Sequence, residues 1–210
     1  MLNIFNFLLD LLSKKDPFVE SLELESIDFW KERLETKRVS NNVLGFFPYR
    51  EKAIKTAIVE IKARNNKAFL RALTLMVSDV LIEELQEEWA WHNFTPKLIV
   101  PIPTSSSSRG FNQSYEIACA FSKNGICSDA LLLKTELQKK RHTQAQHELS
   151  REKRLRNLKH SMFVKHPEKF QGLDVLVVDD VTTTGATFEE AVRALKSAGA
   201  RKVLCVALAY

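Results

Sequence analysis

The chain is poor in cysteine: Cys119, Cys127 and Cys205 are the only three in 210 residues, and none forms a Cys-x-x-Cys pair. An odd, scattered set suits a reducing cytoplasm better than a secreted disulfide scaffold. Each cysteine reads most simply as a small buried apolar residue. A long hydrophobic run is also missing. The opening stretch Met1-Leu-Asn-Ile-Phe-Asn-Phe-Leu-Leu-Asp-Leu-Leu12 is broken by Asn3, Asn6 and Asp10. It falls well short of the roughly 20 apolar residues that a spanning helix needs. With no basic leader and no small-residue cleavage site, a signal peptide is not expected either. Ile4, Phe5, Leu8, Leu9 and Leu12 share one helical face, which predicts a short amphipathic helix. Docking on the protein's own core is its simplest task, with a membrane or partner surface as the alternatives. Repeats and low-complexity linkers are absent. What remains is a chain of ordinary apolar content, long enough to bury a sizeable core.

Charge is present but unevenly spread. Residues 134–170 carry eleven Lys/Arg against four Asp/Glu, while the rest of the chain is slightly acidic. Four of the five histidines, His142, His147, His160 and His166, fall in the same stretch. A concentrated basic segment attracts polyanions, either a phosphorylated small molecule or nucleic acid; a solvated helix face is the plainer reading.

Hydrophobic periodicity divides the remainder. Val43-Leu-Gly-Phe-Phe-Pro-Tyr49 reads as extended chain. Ala53, Ile54, Ala57, Ile58 and Ile61 define a helix that ends near Asn65-Asn66, and a longer helix covers about 68–89. Leu98-Ile-Val-Pro-Ile-Pro103 has the form of a buried strand stopped by proline. A serine-rich loop and Arg109-Gly-Phe-Asn-Gln113 lead into a helix to about Lys123, and a weak strand covers 131–133. Residues 174–179 and 202–208 are strands flanking a helix over 188–198 that Gly199 stops. Strand–helix–strand in this rhythm predicts an α/β fold with a parallel sheet and right-handed crossovers.

The chemistry concentrates in Val177-Val-Asp-Asp-Val-Thr-Thr-Thr-Gly-Ala-Thr187. A hydrophobic strand delivers two acids to its carboxyl end, where ligands of open α/β sheets bind. Gly185 frees the backbone so that successive amides can converge on an anion. Thr187 and Glu190 have capping-box spacing, which would aim a helix N-terminus into the loop. Hydroxyls and amides suit a phosphate, and the neighbouring carboxylates suit sugar hydroxyls or a hydrated Mg2+. The absence of Gly-Lys-Ser/Thr excludes a Walker loop, and the absence of three spaced glycines excludes a dinucleotide fingerprint.

This segment resembles the phosphoribosyl diphosphate (PRPP) signature of type I phosphoribosyltransferases, with Thr182 where a second apolar residue is commoner. Val100-Pro-Ile-Pro103 with Arg109-Gly-Phe-Asn-Gln113 resembles a signature of the competence-associated ComF family within that group. So does Arg141-His-Thr-Gln-Ala-Gln-His-Glu-Leu149, leading through Arg154 and Asn157 to Phe163, although Gln146 rather than Gln144 holds the family's glutamine place. Tyr49 and Ile61-Lys62 resemble its first helical stretch, with Asn65 in place of the usual glycine; asparagine tolerates a left-handed turn. The resemblance covers about residues 43–209.

It implies a type I phosphoribosyltransferase-like parallel sheet flanked by helices over residues 43–210. Residues 1–42 would be an N-terminal extension that replaces the family's zinc finger without metal. No zinc is therefore expected, since four ligands cannot be assembled there. By the same resemblance, Asp179 and Asp180 would contact the ribose hydroxyls directly or through Mg2+. Thr183, Thr184, Gly185, Ala186 and Thr187 would hold the 5′-phosphate. Ser107, Ser108 and Arg109, with Lys62, are candidates for the leaving diphosphate. The implied reaction is displacement of diphosphate by an unidentified nitrogen acceptor, with Asp179, Asp180 and Arg109 as the catalytic set. The rival is a non-catalytic PRPP-binding or single-stranded-DNA-binding accessory protein of DNA uptake, with competence-machinery proteins as partners. For nucleic acid, Arg151, Arg154 and Arg156 are the candidate contacts. No aromatic side chain lies between Arg141 and Met162, so that contact would be electrostatic rather than a stacking platform. Higher-order assembly is compatible with all of this.

Overall fold

The computed structural model describes residues 16–104, 111–140 and 160–210. The expected amphipathic helix at the N-terminus, Ser107, Ser108, Arg109, and the basic stretch with His142, His147, Arg151, Arg154 and Arg156 lie outside the described residues.

Two short helices come first, α1 (Pro17–Glu23) and α2 (Ile27–Lys31). Asp16 and Ser26 cap them by accepting from the amides of Phe18 and Phe29, the usual use of short polar side chains at helix starts. Strands β1 (Lys37–Ser40) and β2 (Val43–Phe47) pair antiparallel. Helices α3 (Lys52–Arg64) and α4 (Lys67–His92) are separated by two asparagines. Asn65 ends α3 in the left-handed conformation, φ 54°, and Asn66 starts α4 by accepting from the amides of Ala68 and Phe69. The asparagine in the usual glycine place thus adopts the conformation a glycine would. Then follow β3 (Pro96–Pro101), α5 (Gln113–Lys123), β4 (Leu131–Leu132), β5 (Leu137–Lys139) and β6 (Met162–Val164). A single 3-10 turn (Pro167–Phe170), β7 (Asp174–Val181), α6 (Ala186–Ser197) and β8 (Lys202–Ala209) complete the order.

The main sheet runs β1-β2-β8-β7-β3-β4, parallel from β2 to β4, with β1 antiparallel at one edge. Strands β5 and β6 form a separate antiparallel ribbon. Because side chains alternate across a strand, β7 sends Leu176 and Val178 to one face and Val175 and Val177 to the other. The first face packs on Ile54, Ile58, Leu73, Val77, Ile117 and Phe121 of α3, α4 and α5. The second packs on Phe188, Ala191 and Leu195 of α6 and on Leu137 and Met162 of the ribbon.

Residues 16–42, expected as part of an extension, place Val19, Leu22 and Trp30 in the same core and contribute the edge strand β1. The cysteines differ from one another. Cys205 is buried in the second core, whereas Cys119 and Cys127 are only half-buried, short of the burial expected of all three.

Candidate functional site

Three strand ends converge. Strand β7 finishes with Asp179, Asp180 and Val181, and the amide of Ile102 just beyond β3 donates to the Val178 carbonyl at 2.9 Å. The amide of Thr182 donates to the Ala209 carbonyl at the end of β8. Thr182 therefore continues the ladder and is buried, in the place where an apolar residue is commoner.

Both acids are almost completely buried. Asp179 Oδ1 accepts from the Ser114 hydroxyl at 2.7 Å and from the Asp180 amide at 2.9 Å. Burial, and then the neighbouring Asp180 carboxylate, push Asp179 up from 3.8 to about 7, against the opposing Ser114 hydrogen bond. Asp180 Oδ1 accepts from the Val181 amide, but its buried Oδ2 has no hydrogen-bond partner among the described residues. Lys62, from the last turns of α3, reaches 3.5 Å from that oxygen as an ion pair without hydrogen-bond geometry. Buried acceptors of this kind are costly unless a donor or cation arrives.

Beyond Val181 the chain turns through exposed Thr183 and Thr184 into Gly185. Gly185 has φ 77° and serves as the N-cap of α6. That conformation is what glycine alone takes without strain. The sequence spacing assigned the cap to Thr187 with Glu190, and this is not what forms. Thr187 lies inside the first turn, and no side chain caps the helix. Glu190 is instead taken by other partners: Oε1 accepts from the Met162 amide at 2.9 Å, and Arg193 donates to the same carboxylate. Burial works to raise the Glu190 pKa, yet the hydrogen bonds from Arg193 and from the Met162 and His160 amides hold it below the usual range. The helix start keeps its positive end towards Thr183 and Thr184, with only a long 3.4 Å bond from the Ala186 amide to Thr184 Oγ1.

Lys139, at the end of β5, is a site residue the sequence did not single out. Burial lowers its pKa, and the fields of Asp179 and Asp180, opposed by that of Lys62, show that it shares their environment. Its only sequence signal is membership of a basic run; the ribbon that delivers it is too short to leave a periodic pattern. The opposite wall is α5. Asn112 caps it by accepting from the amides of Ser114 and Tyr115, and its own amide donates to the Ile102 carbonyl at 3.0 Å. The structure thus brings Asp179, Asp180, Lys62, Lys139 and Ser114 together, beside a turn built of Thr183, Thr184, Gly185, Ala186 and Thr187.

Residues 72–210 match the phosphoribosyl transferase domain family. The chain belongs to that family. The phosphoribosyl transferase domain thus spans α4 to β8, and the mixed α/β, mostly parallel architecture is that of a type I phosphoribosyltransferase. The ComF-like character expected from the motifs stands with it. The chain is also similar to the DNA utilization protein YhgH of Salmonella typhi, at 35% identity over 119 residues. That match covers 51% of this chain and 47% of the relative, so it spans about half of each. The protein of the same name from Salmonella typhimurium matches to the same extent. Among the described residues, no helix is long and apolar enough to cross a membrane. No group of three or more His, Cys, Asp or Glu that could hold a metal occurs among them either.

Proposed function

We propose that this chain binds PRPP and Mg2+ at the end of β7 and transfers the phosphoribosyl group to a nitrogen acceptor. The observation that carries the proposal is the buried Asp180 Oδ2, left without a hydrogen-bond partner beside the Gly185 turn. A group that donates into a carboxylate while its phosphate sits on a helix N-terminus satisfies both features, and a ribose 5-phosphate is such a group.

In this reading Asp179 and Asp180 accept from the 2′- and 3′-hydroxyls, and residues 183–187 hold the 5′-phosphate through amides and threonine hydroxyls. Lys62 and Lys139 supply positive charge towards the diphosphate, joined by Arg109, Ser107 and Ser108. The acceptor nitrogen forms a bond to C1 as the C1–O bond to diphosphate breaks, and the electron pair leaves with the diphosphate. The chain's work is to fix that geometry and to stabilise departing charge in a water-poor site. The acid pair, with unsatisfied acceptor capacity, fits a hydrated Mg2+, which when bound would neutralise diphosphate charge. Three free cysteines favour a cytoplasmic setting.

A second reading is favoured by the relatives' description as DNA utilization proteins: PRPP binding without turnover, in a protein serving DNA uptake or processing. In that reading Arg151, Arg154 and Arg156 would contact single-stranded DNA. Calorimetric titration with PRPP, with and without Mg2+, tests both readings; an absence of heat at millimolar ligand overturns them. Diphosphate release across a panel of bases and amines separates them.

A further inference from the structure

We infer that Ser114 is a positioning residue, which sets the orientation of the Asp179 carboxylate for the sugar. The inference rests on the PRPP reading above and adds a residue to it. A buried helical hydroxyl ordinarily donates to its own helix's backbone. Thr74 and Ser78 in α4 do so, to the carbonyls of Leu70 and Thr74. Ser114 is as buried as they are but stands in the first turn of α5, with no carbonyl of its own helix behind it, and its proton goes across to Asp179 Oδ1 on β7.

The consequence is geometric. With the Asp180 amide also donating to Oδ1, that oxygen has two donors. These two bonds fix the rotation of the carboxylate, and with it the place of Oδ2. Ser114 itself is held through its amide, which donates to Asn112 Oδ1, while Asn112 Nδ2 donates to Ile102 O. Asn112 therefore ties the start of α5 to the residue just beyond β3. Ser114 passes that registration on to the acid. Gln113, between them, has a buried Oε1 with no partner among the described residues, a second acceptor at this junction left open.

The test uses the full chain and compares Ser114→Ala, Ser114→Cys and Ser114→Thr with the unaltered protein. PRPP with Mg2+ and inorganic phosphate alone are titrated calorimetrically, and Tm is recorded for each variant. Loss of the buried bond that holds the Asp179 carboxyl predicts about a tenfold rise in the PRPP dissociation constant for Ala and Cys. Thr, which keeps the hydroxyl, should restore PRPP affinity to within about twofold; phosphate affinity should stay unchanged in all three, and Tm should fall by no more than a few degrees for the lost buried bond or the added methyl. Unaltered PRPP affinity in both Ala and Cys overturns the inference while leaving the PRPP reading intact. So does a parallel loss of phosphate affinity, which would make the contact merely structural. Absence of PRPP binding by the unaltered chain overturns both.

Discussion

Strand β7 begins and ends in buried acid, and its two ends are opposite in character. At the start, Asp174 is saturated: Arg201 donates to both carboxylate oxygens, and the Thr95 amide adds a third bond at 2.8 Å. At the finish, Asp180 keeps a buried oxygen without a hydrogen bond, and Asp179 is pushed towards neutrality by burial and by its neighbour. One strand, similar burial and the same functional group give a structural pair at one end and an unsatisfied pair at the other. Satisfied buried charge reads as architecture; unsatisfied buried charge reads as a place kept for a ligand.

The contrast breaks if substitutions at the two ends have the same consequences. The largest expected effect is at Asp180. Asp180→Asn should weaken PRPP binding by on the order of tenfold or more, with Tm little changed, because a charge-assisted bond to the sugar is lost while Oδ2 gives up only its 3.5 Å ion pair with the part-exposed Lys62. Calorimetry and thermal melts read the two quantities separately. Asp174→Asn should do the reverse: a Tm lower by about 5 °C, with PRPP affinity held within about twofold. Next comes pH. Asp179 keeps its proton to about pH 7 in the folded chain but loses it near 4 when unfolded. The folded state then binds the extra proton across that window, so its contribution to stability falls as pH rises from about 4 to 7. Asp179→Asn should remove that slope, and denaturant unfolding at several pH values would show parallel curves if the idea were wrong. Smallest is Gly185→Ala. A Cβ there meets nothing within 4 Å, so the cost is backbone strain at φ +77°, about 1 kcal/mol.

The sequence was most legible where strands are buried on both faces. Strands β3, β7 and β8 are continuous apolar runs, and the acids at the end of β7 interrupt that run conspicuously. Strand β1, Lys37-Arg-Val-Ser, has one apolar residue because it lies at a sheet edge, and it was missed. The ribbon of β5 and β6 was missed because three residues show no period. The Thr187–Glu190 spacing misled for a different reason. A capping box is a local pattern, and here a long-range partner, the Met162 amide, together with Arg193, holds the glutamate. Lys139 is the same lesson in reverse, a residue whose neighbours are distant in sequence and close in space.

That ribbon has a consequence for protein engineering. Lys139 faces Met162 across it, and the Lys140 amide donates to the Ser161 carbonyl at 2.7 Å, so residues 141–159 depart and return through adjacent, hydrogen-bonded points. Glu190 and Arg193 grip the amide and the carbonyl of Met162, fastening this doorway to α6. Closing entropy changes slowly with loop length once its ends are held. The doorway should therefore accept cassettes of different length and charge, including a short glycine–serine turn. Exchanging the basic stretch for a neutral cassette would turn the question of nucleic-acid contact into a comparison of two folded proteins.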